Sequence, residues 1–257
     1  EKDIEILKTL GVDSYRFSIA WPRIFPEQGK YNEAGMNFYK NLITRLIENG
    51  IKPAVTLYHW DLPMWAHEQG GWTNRESVNW FMEYAEKCFE ELDEHVEMWI
   101  THNEPWCAGF LGYHQGVHAP GHTNMEEALK AVHHMLLSHG EAVSLLKGKF
   151  ASTTPIGITL NLSPMYAASN SANDQLAANN ADGYTNRWFL DPVLKGHYPV
   201  DMMNLFSKYV HSFDFIQEGD LEKISVECDF FGINYYNRSL VEFNAASDFL
   251  FKSAYSD

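Results

Sequence analysis

Residues 101–106 read THNEPW and follow the apolar run VEMWI, a pattern that suggests a strand entering a turn. A strand that stops on an amide, a carboxylate and a proline presents Glu104 as a group able to give or take a proton, beside Asn103. The same letters have a plainer use. Pro105 favours the first turn of a helix, where a carboxylate complements the helix dipole and its free amides. The hexapeptide alone leaves both readings open.

Other stretches carry groups of the same kind. YHWDLP puts His59 and Trp60 at the end of an apolar run, an imidazole to hydrogen-bond a ligand and an indole to face it. A satisfied buried histidine and a core tryptophan are the plainer alternative. Arg16, in SYRFSIAW, is a guanidinium in a strand expected to be buried on both faces, so it calls for an anionic partner, most simply a carboxylate in the same cavity. In GINYYN, Asn234 and Tyr236 are two apart and in a strand project to one face. His114, His118 and His122 recur every four residues, but Gly112, Gly116, Pro120 and Gly121 oppose the helix that would align them, so no metal site is expected. His133, His134 and His139 lack ligand spacing and are assigned to helix surface or packing. Ser18, Ser163 and Cys107 have no activating frame such as GxSxG.

The elements that position these groups alternate regularly. A helix with Ile4, Leu7 and Leu10 on one face stops at Gly11; VDSYRFSIAW is the first strand. A helix over residues 34–49, the strand PAVTLYHW, and a helix opened by a Thr73/Glu76 capping box follow. HVEMWITHNE is the third strand, a helix capped by Thr123 and Glu126 comes next, and IGITLNLSP and CDFFGINYYN complete five strands. The alternation indicates βαβ units and a parallel sheet. Long connections rich in Gly, Pro, His and Trp follow several strands, WDLPMWAHEQGGW, PWCAGFLGYHQGVHAPGH and MYAASNSANDQL among them, and no Gly-rich phosphate loop does. That favours a barrel, whose strand-end loops build the site, over a doubly wound sheet. A (β/α)8 barrel averages about 250 residues, yet five strands use all of this chain, so an incomplete barrel is expected, as a single domain over 1–257.

Composition excludes some functions. The 257 residues carry 19 basic and 34 acidic side chains, a formal net charge of −15, without a Lys/Arg cluster, which argues against a nucleic-acid partner. No run approaches the roughly 20 apolar residues of a membrane span. The three cysteines, Cys88, Cys107 and Cys228, are widely spaced and read as reduced structural thiols. Asn161-Leu-Ser163 and Asn237-Arg-Ser239 match the glycosylation pattern, but both fall in apparent strands and are read as accidental. The chain opens on EKDIEILKTLG, a helix already under way and without a secretory signal, so a cytoplasmic protein is expected.

Taken together, YRFSIAWPRIFP, YHWDLP, THNEPW, HAPG, RWFLDPVLKGHYP and FFGINYYN resemble stretches of glycoside hydrolase family 1, the retaining β-glucosidases, in family order. The resemblance implies an α/β (β/α)8 TIM barrel, with the second to sixth strands present, acting on β-glucosides or short β-linked oligosaccharides without a cofactor. It implies Glu104 as acid/base and Asn103 on the sugar's 2-hydroxyl, with His59 and Trp60 on its 3-hydroxyl side. Arg16 and Tyr236 would contact the nucleophile, and Asn234 would line the same pocket. Such enzymes set two carboxyl groups about 5–5.5 Å apart, one to protonate the leaving oxygen and one to attack the anomeric carbon.

The chain also departs from the family. The family's nucleophile lies in an ENG-type motif on a later strand, and the one ENG here, Glu48-Asn49-Gly50, closes the helix over 34–49 instead; the early stretch with a sugar-binding glutamine and the late tryptophan-rich loop are missing too. An internal piece of a β-glucosidase is therefore expected, inactive alone. The alternatives are a 6-phospho-β-glycosidase, disfavoured by YHWDLP, and a non-catalytic carbohydrate-binding relative, disfavoured by the joint retention of His59, Asn103, Glu104 and Tyr236.

Overall fold

The computed structural model describes residues 2–254. Its strands are β1 (Ser14–Ser18), β2 (Lys52–Tyr58), β3 (Met98–Asn103), β4 (Ile156–Asn161), β5 (Met165–Ala167), β6 (Phe230–Asn234), β7 (Ser239–Phe243) and β8 (Phe251–Ser253). Five of them form one parallel sheet in the order β1-β2-β3-β4-β6. Every residue of β2 from Pro53 to Tyr58 is buried, the continuous apolar run that a strand covered on both faces needs. The order follows the sequence and never reverses. A doubly wound sheet reverses at its switch point; a barrel does not. The five expected strands are thus present, as consecutive strands of a barrel.

The helices Glu33–Glu48, Glu76–Leu92 and Met125–Gly148 cross between successive strands. Behind the sheet they enclose a core in which Trp21, Trp72, Trp99 and Trp188 are fully buried, so much of the aromatic surplus is packing. Met125–Gly148 also packs against the short helix Asp220–Ile224 so closely that a Cβ on Gly140 would lie 1.9 Å from the carbonyl oxygen of Lys223. No helix among the described residues is long and apolar enough to cross a membrane.

Several local expectations are corrected. Within the described residues β1 has a strand neighbour on one side only, and Ser14 and Arg16 are exposed there. The opening helix Lys2–Leu10 does end at Gly11 in a left-handed turn, but Leu10 is exposed. Steps of three fall short of a full turn, so Leu10 has rotated about 120° from the buried Ile4. Thr73 does not cap a helix; it donates to Gly70 O, and Asn74 Oδ1 receives the Glu76 amide at 3.0 Å. In the same way Asn124, not Thr123, caps Met125–Gly148, accepting from the amides of Glu126 and Glu127 at 2.9 and 3.3 Å. Asn161 closes β4, whereas Asn237 lies in the exposed loop between β6 and β7 rather than in a strand.

A second sheet was not foreseen. β5 pairs in parallel with β7, which pairs antiparallel with β8. Part of MYAASNSANDQL, read as open connection, is β5 followed by the start of the helix Ala172–Asp182. Strands of three residues are too short to show a period.

Candidate active site

The site gathers where β1, β2, β3 and β6 end. β3 stops at Asn103, and Glu104 turns into the left-handed region at φ +50°, a conformation that costs a residue with a side chain about 1–2 kcal/mol. Both readings of NEPW meet here. The Glu104 carbonyl accepts from the Cys107 amide at 2.9 Å, and Pro105 takes the first helical position before the π-helical turn Cys107–His114. The backbone therefore opens a helix while the carboxylate does not cap it. The side chain swings the other way, is 4% exposed, and offers Oε1 to Asn234 Nδ2 at 2.6 Å and to the Tyr236 hydroxyl at 3.4 Å. Its Oε2 accepts from the Cys107 thiol at 3.2 Å.

Asn103 is the hub beside it. Its Oδ1 accepts from Arg16 Nη2 at 2.7 Å and from Asn234 Nδ2 at 3.1 Å. Its Nδ2 lies 3.2 Å from His59 Nε2; an amide nitrogen only donates, so Nε2 is the unprotonated nitrogen. That agrees with burial, and then the Arg16 charge, lowering the His59 pKa against the pull of Glu104. His59 is exposed overall yet partly desolvated, not the fully buried histidine of the plainer alternative. Trp60, at φ +84°, donates its indole N–H to the Asn103 carbonyl at 2.8 Å. Its ring stands 5.3 Å from that of His118 and lines a cavity of about 560 Å³ with Leu62, Met64, Tyr113 and Pro120. The polar edge of Trp60 thus braces β3 while its face borders open space.

Arg16 differs from expectation. Its Nε donates to Thr56 Oγ1 at 3.1 Å and its Nη2 to Asn103, and among the described residues it forms no ion pair. Burial lowers its pKa, with the Glu104 charge acting in the opposite direction. Only two of the five N–H groups of the guanidinium are directed at protein groups among the described residues. Tyr236 reaches Glu104 by a route other than the expected one. β6 ends at Asn234, so the phenol, 78% exposed, arrives from the loop and not by the pleat of a strand. The Glu104 charge, then burial, pushes its pKa up.

The structure therefore brings together Arg16, His59, Asn103, Glu104, Asn234 and Tyr236, with Trp60 behind them. Two partners had been missed. Thr56 was one polar residue in an apolar strand, a signal that was available. Cys107 is read from the sequence as a structural thiol without a nucleophile's frame, although three residues past Glu104 at a helix start is one turn away. The histidines set aside as ligands disperse: His118 stands by Trp60, His122 bonds Glu127, and His114 lies beside Phe249. Among the described residues no three His, Cys, Asp or Glu gather as a metal site. Of the two expectations for His133, His134 and His139, helix surface or packing, packing holds: all three are buried.

Comparison with known proteins places the chain in a family. The profile of Glycosyl hydrolase family 1 matches residues 1–256. A β-glucosidase A of Acetivibrio thermocellus is 46% identical over 257 residues, covering 100% of this chain and 57% of the relative. The crystal structure of a β-glucosidase from Exiguobacterium marinum superposes with a TM-score of 0.98 at 76% identity, over 100% of this chain and 58% of that one. That of Exiguobacterium antarcticum B7 gives 0.98 at 73% identity, over 100% and 57%. The chain thus spans little more than half the length of these relatives. The profile covers nearly the whole chain and the sheet order is that of the family's barrel: the chain belongs to glycosyl hydrolase family 1.

Proposed function

We propose that the protein carrying this chain hydrolyses terminal β-D-glucosyl residues from β-glucosides with retention of configuration, and that Glu104 is its acid/base. The observation that carries this reading is the orientation of Glu104. A buried carboxylate placed to cap a helix leaves the helix amides uncapped and instead takes up the Asn234 amide, the exposed Tyr236 phenol and the Cys107 thiol, beside Asn103 and His59. Glu104 protonates the departing oxygen, then as a carboxylate takes a proton from the incoming water. Asn103 and His59 hold ring hydroxyls, and the free N–H groups of Arg16 face the attacking carboxylate, with Tyr236 as its second donor. That carboxylate is assigned to a later strand of the family fold. Terminal β-galactosyl and β-fucosyl residues fit the same acid chemistry.

In the full-length protein, Glu104→Gln should cut hydrolysis of alkyl glucosides severely, because a poor leaving group needs the proton. Aryl glucosides with activated leaving groups should lose far less in the glycosylation step. Added azide should restore turnover and yield the β-glycosyl azide, since an anion needs no base. Equal loss for all leaving groups, without azide rescue, removes Glu104 from this role.

A further inference from the structure

We propose that Cys107 is a positioning residue for Glu104, its neutral thiol donating to Oε2 so as to fix the carboxyl plane and favour the ionised form. This rests on the acid/base reading above. Cys107 is 8% exposed and Glu104 4% exposed, so water does not compete freely for either oxygen. The backbone sets the contact: the left-handed turn at Glu104 and the Cys107 N–H donated to the Glu104 carbonyl at 2.9 Å close one turn that brings Sγ to 3.2 Å from Oε2. The other oxygen, Oε1, is held by Asn234 at 2.6 Å. The two sides are therefore dressed differently. Oε1 faces the cluster containing Asn103, and Oε2 is tied back to the helix that Glu104 opens. Burial, and then the Glu104 charge, pushes the thiol pKa well up, so Cys107 stays a donor throughout the working pH range.

A retaining enzyme needs its acid/base in both protonation states within one turnover. A donor to the carboxylate form makes release of the proton easier.

The test uses the full-length protein with Cys107→Val, Cys107→Ala and Cys107→Ser. The valine and alanine variants should move the basic limb of the kcat/KM profile upward by roughly half a pH unit or more, a thiol being a weak donor to a charged acceptor. The serine variant, which keeps a donor, should hold the limb near its wild-type position. A purely structural role would change melting temperature without moving the limb. Infrared difference spectra give a readout independent of activity. The S–H stretch lost in Cys107→Ala should lie below that of a free thiol and return toward it in Glu104→Gln. An unmoved limb in both donorless variants, or an S–H band indifferent to Glu104→Gln, overturns the proposal. Failure of the acid/base reading shows separately, as a Glu104→Gln enzyme that treats all leaving groups alike.

Discussion

Glu104 shows how far a residue type announces its work. Its chemistry was legible, because an amide and a carboxylate ending an apolar run are rare company. Its direction was not. The turns at Glu104 and Trp60 have φ of +50° and +84°, and nothing in the preferences of Glu or Trp encodes a left-handed backbone. Those two angles decide that the carboxylate reaches Asn234 without capping the helix amides and that the indole N–H braces Asn103. Arg16 was legible in kind, and within the described residues its guanidinium is held by Thr56 and Asn103 and not by a carboxylate. Asn234 offers the clearest test among the single groups. It donates to Glu104 at 2.6 Å and to Asn103 at 3.1 Å. A hydrogen bond to a charged group is worth about 1.5–3 kcal/mol. Asn234→Ala in the full-length protein should therefore lower kcat/KM about tenfold to a hundredfold. Tyr235→Phe, on an exposed ring pointing elsewhere, should leave it nearly unchanged.

Among the elements, the five long strands were readable and the helix starts were read one place out. Runs of buried residues survive any choice of loop, whereas a cap depends on which of two neighbouring polar side chains faces the free amides. Asn124→Ala should destabilise the protein by about 1 kcal/mol, the usual cost of losing an N-cap, and Thr123→Ala by much less. Urea denaturation of both variants checks the ranking. Gly140 makes a stronger demand. It allows the helix Met125–Gly148 to touch the backbone at Lys223, which a methyl group 1.9 Å away forbids. Gly140→Ala should cost about 1–3 kcal/mol by overpacking, despite the better helix propensity of alanine, and a melting curve decides the sign.

At the scale of the whole molecule, the buried imidazoles make stability depend on pH. Burial lowers the pKa of His134 and His139 to about 4, and that of His102 well below its ordinary value. Burial also lowers His133, which bonds Asp220 at 2.9 Å. Burial alone would raise Asp220, but hydrogen bonds from His133 and Arg75 outweigh it and hold that carboxylate below its usual range. All five groups bind protons more weakly folded than unfolded. Their stabilisation is therefore complete above the unfolded histidine value of about 6.5 and is lost as pH falls through the folded values. The melting temperature of the full-length protein should fall steadily from pH 7 to pH 5, and His139→Gln should flatten that slope. The strand order was foreseen from the alternation of elements, while the second sheet was not, because its outer strands are three residues long. One contact described above also has a bearing on time. Glu104 and Asn234 lie 130 residues apart in the chain, yet share a hydrogen bond. Contacts so distant in sequence form late in folding. Glu104 therefore acquires its neighbour only after β4 has received β6, so refolding should restore bulk structure before it restores the site.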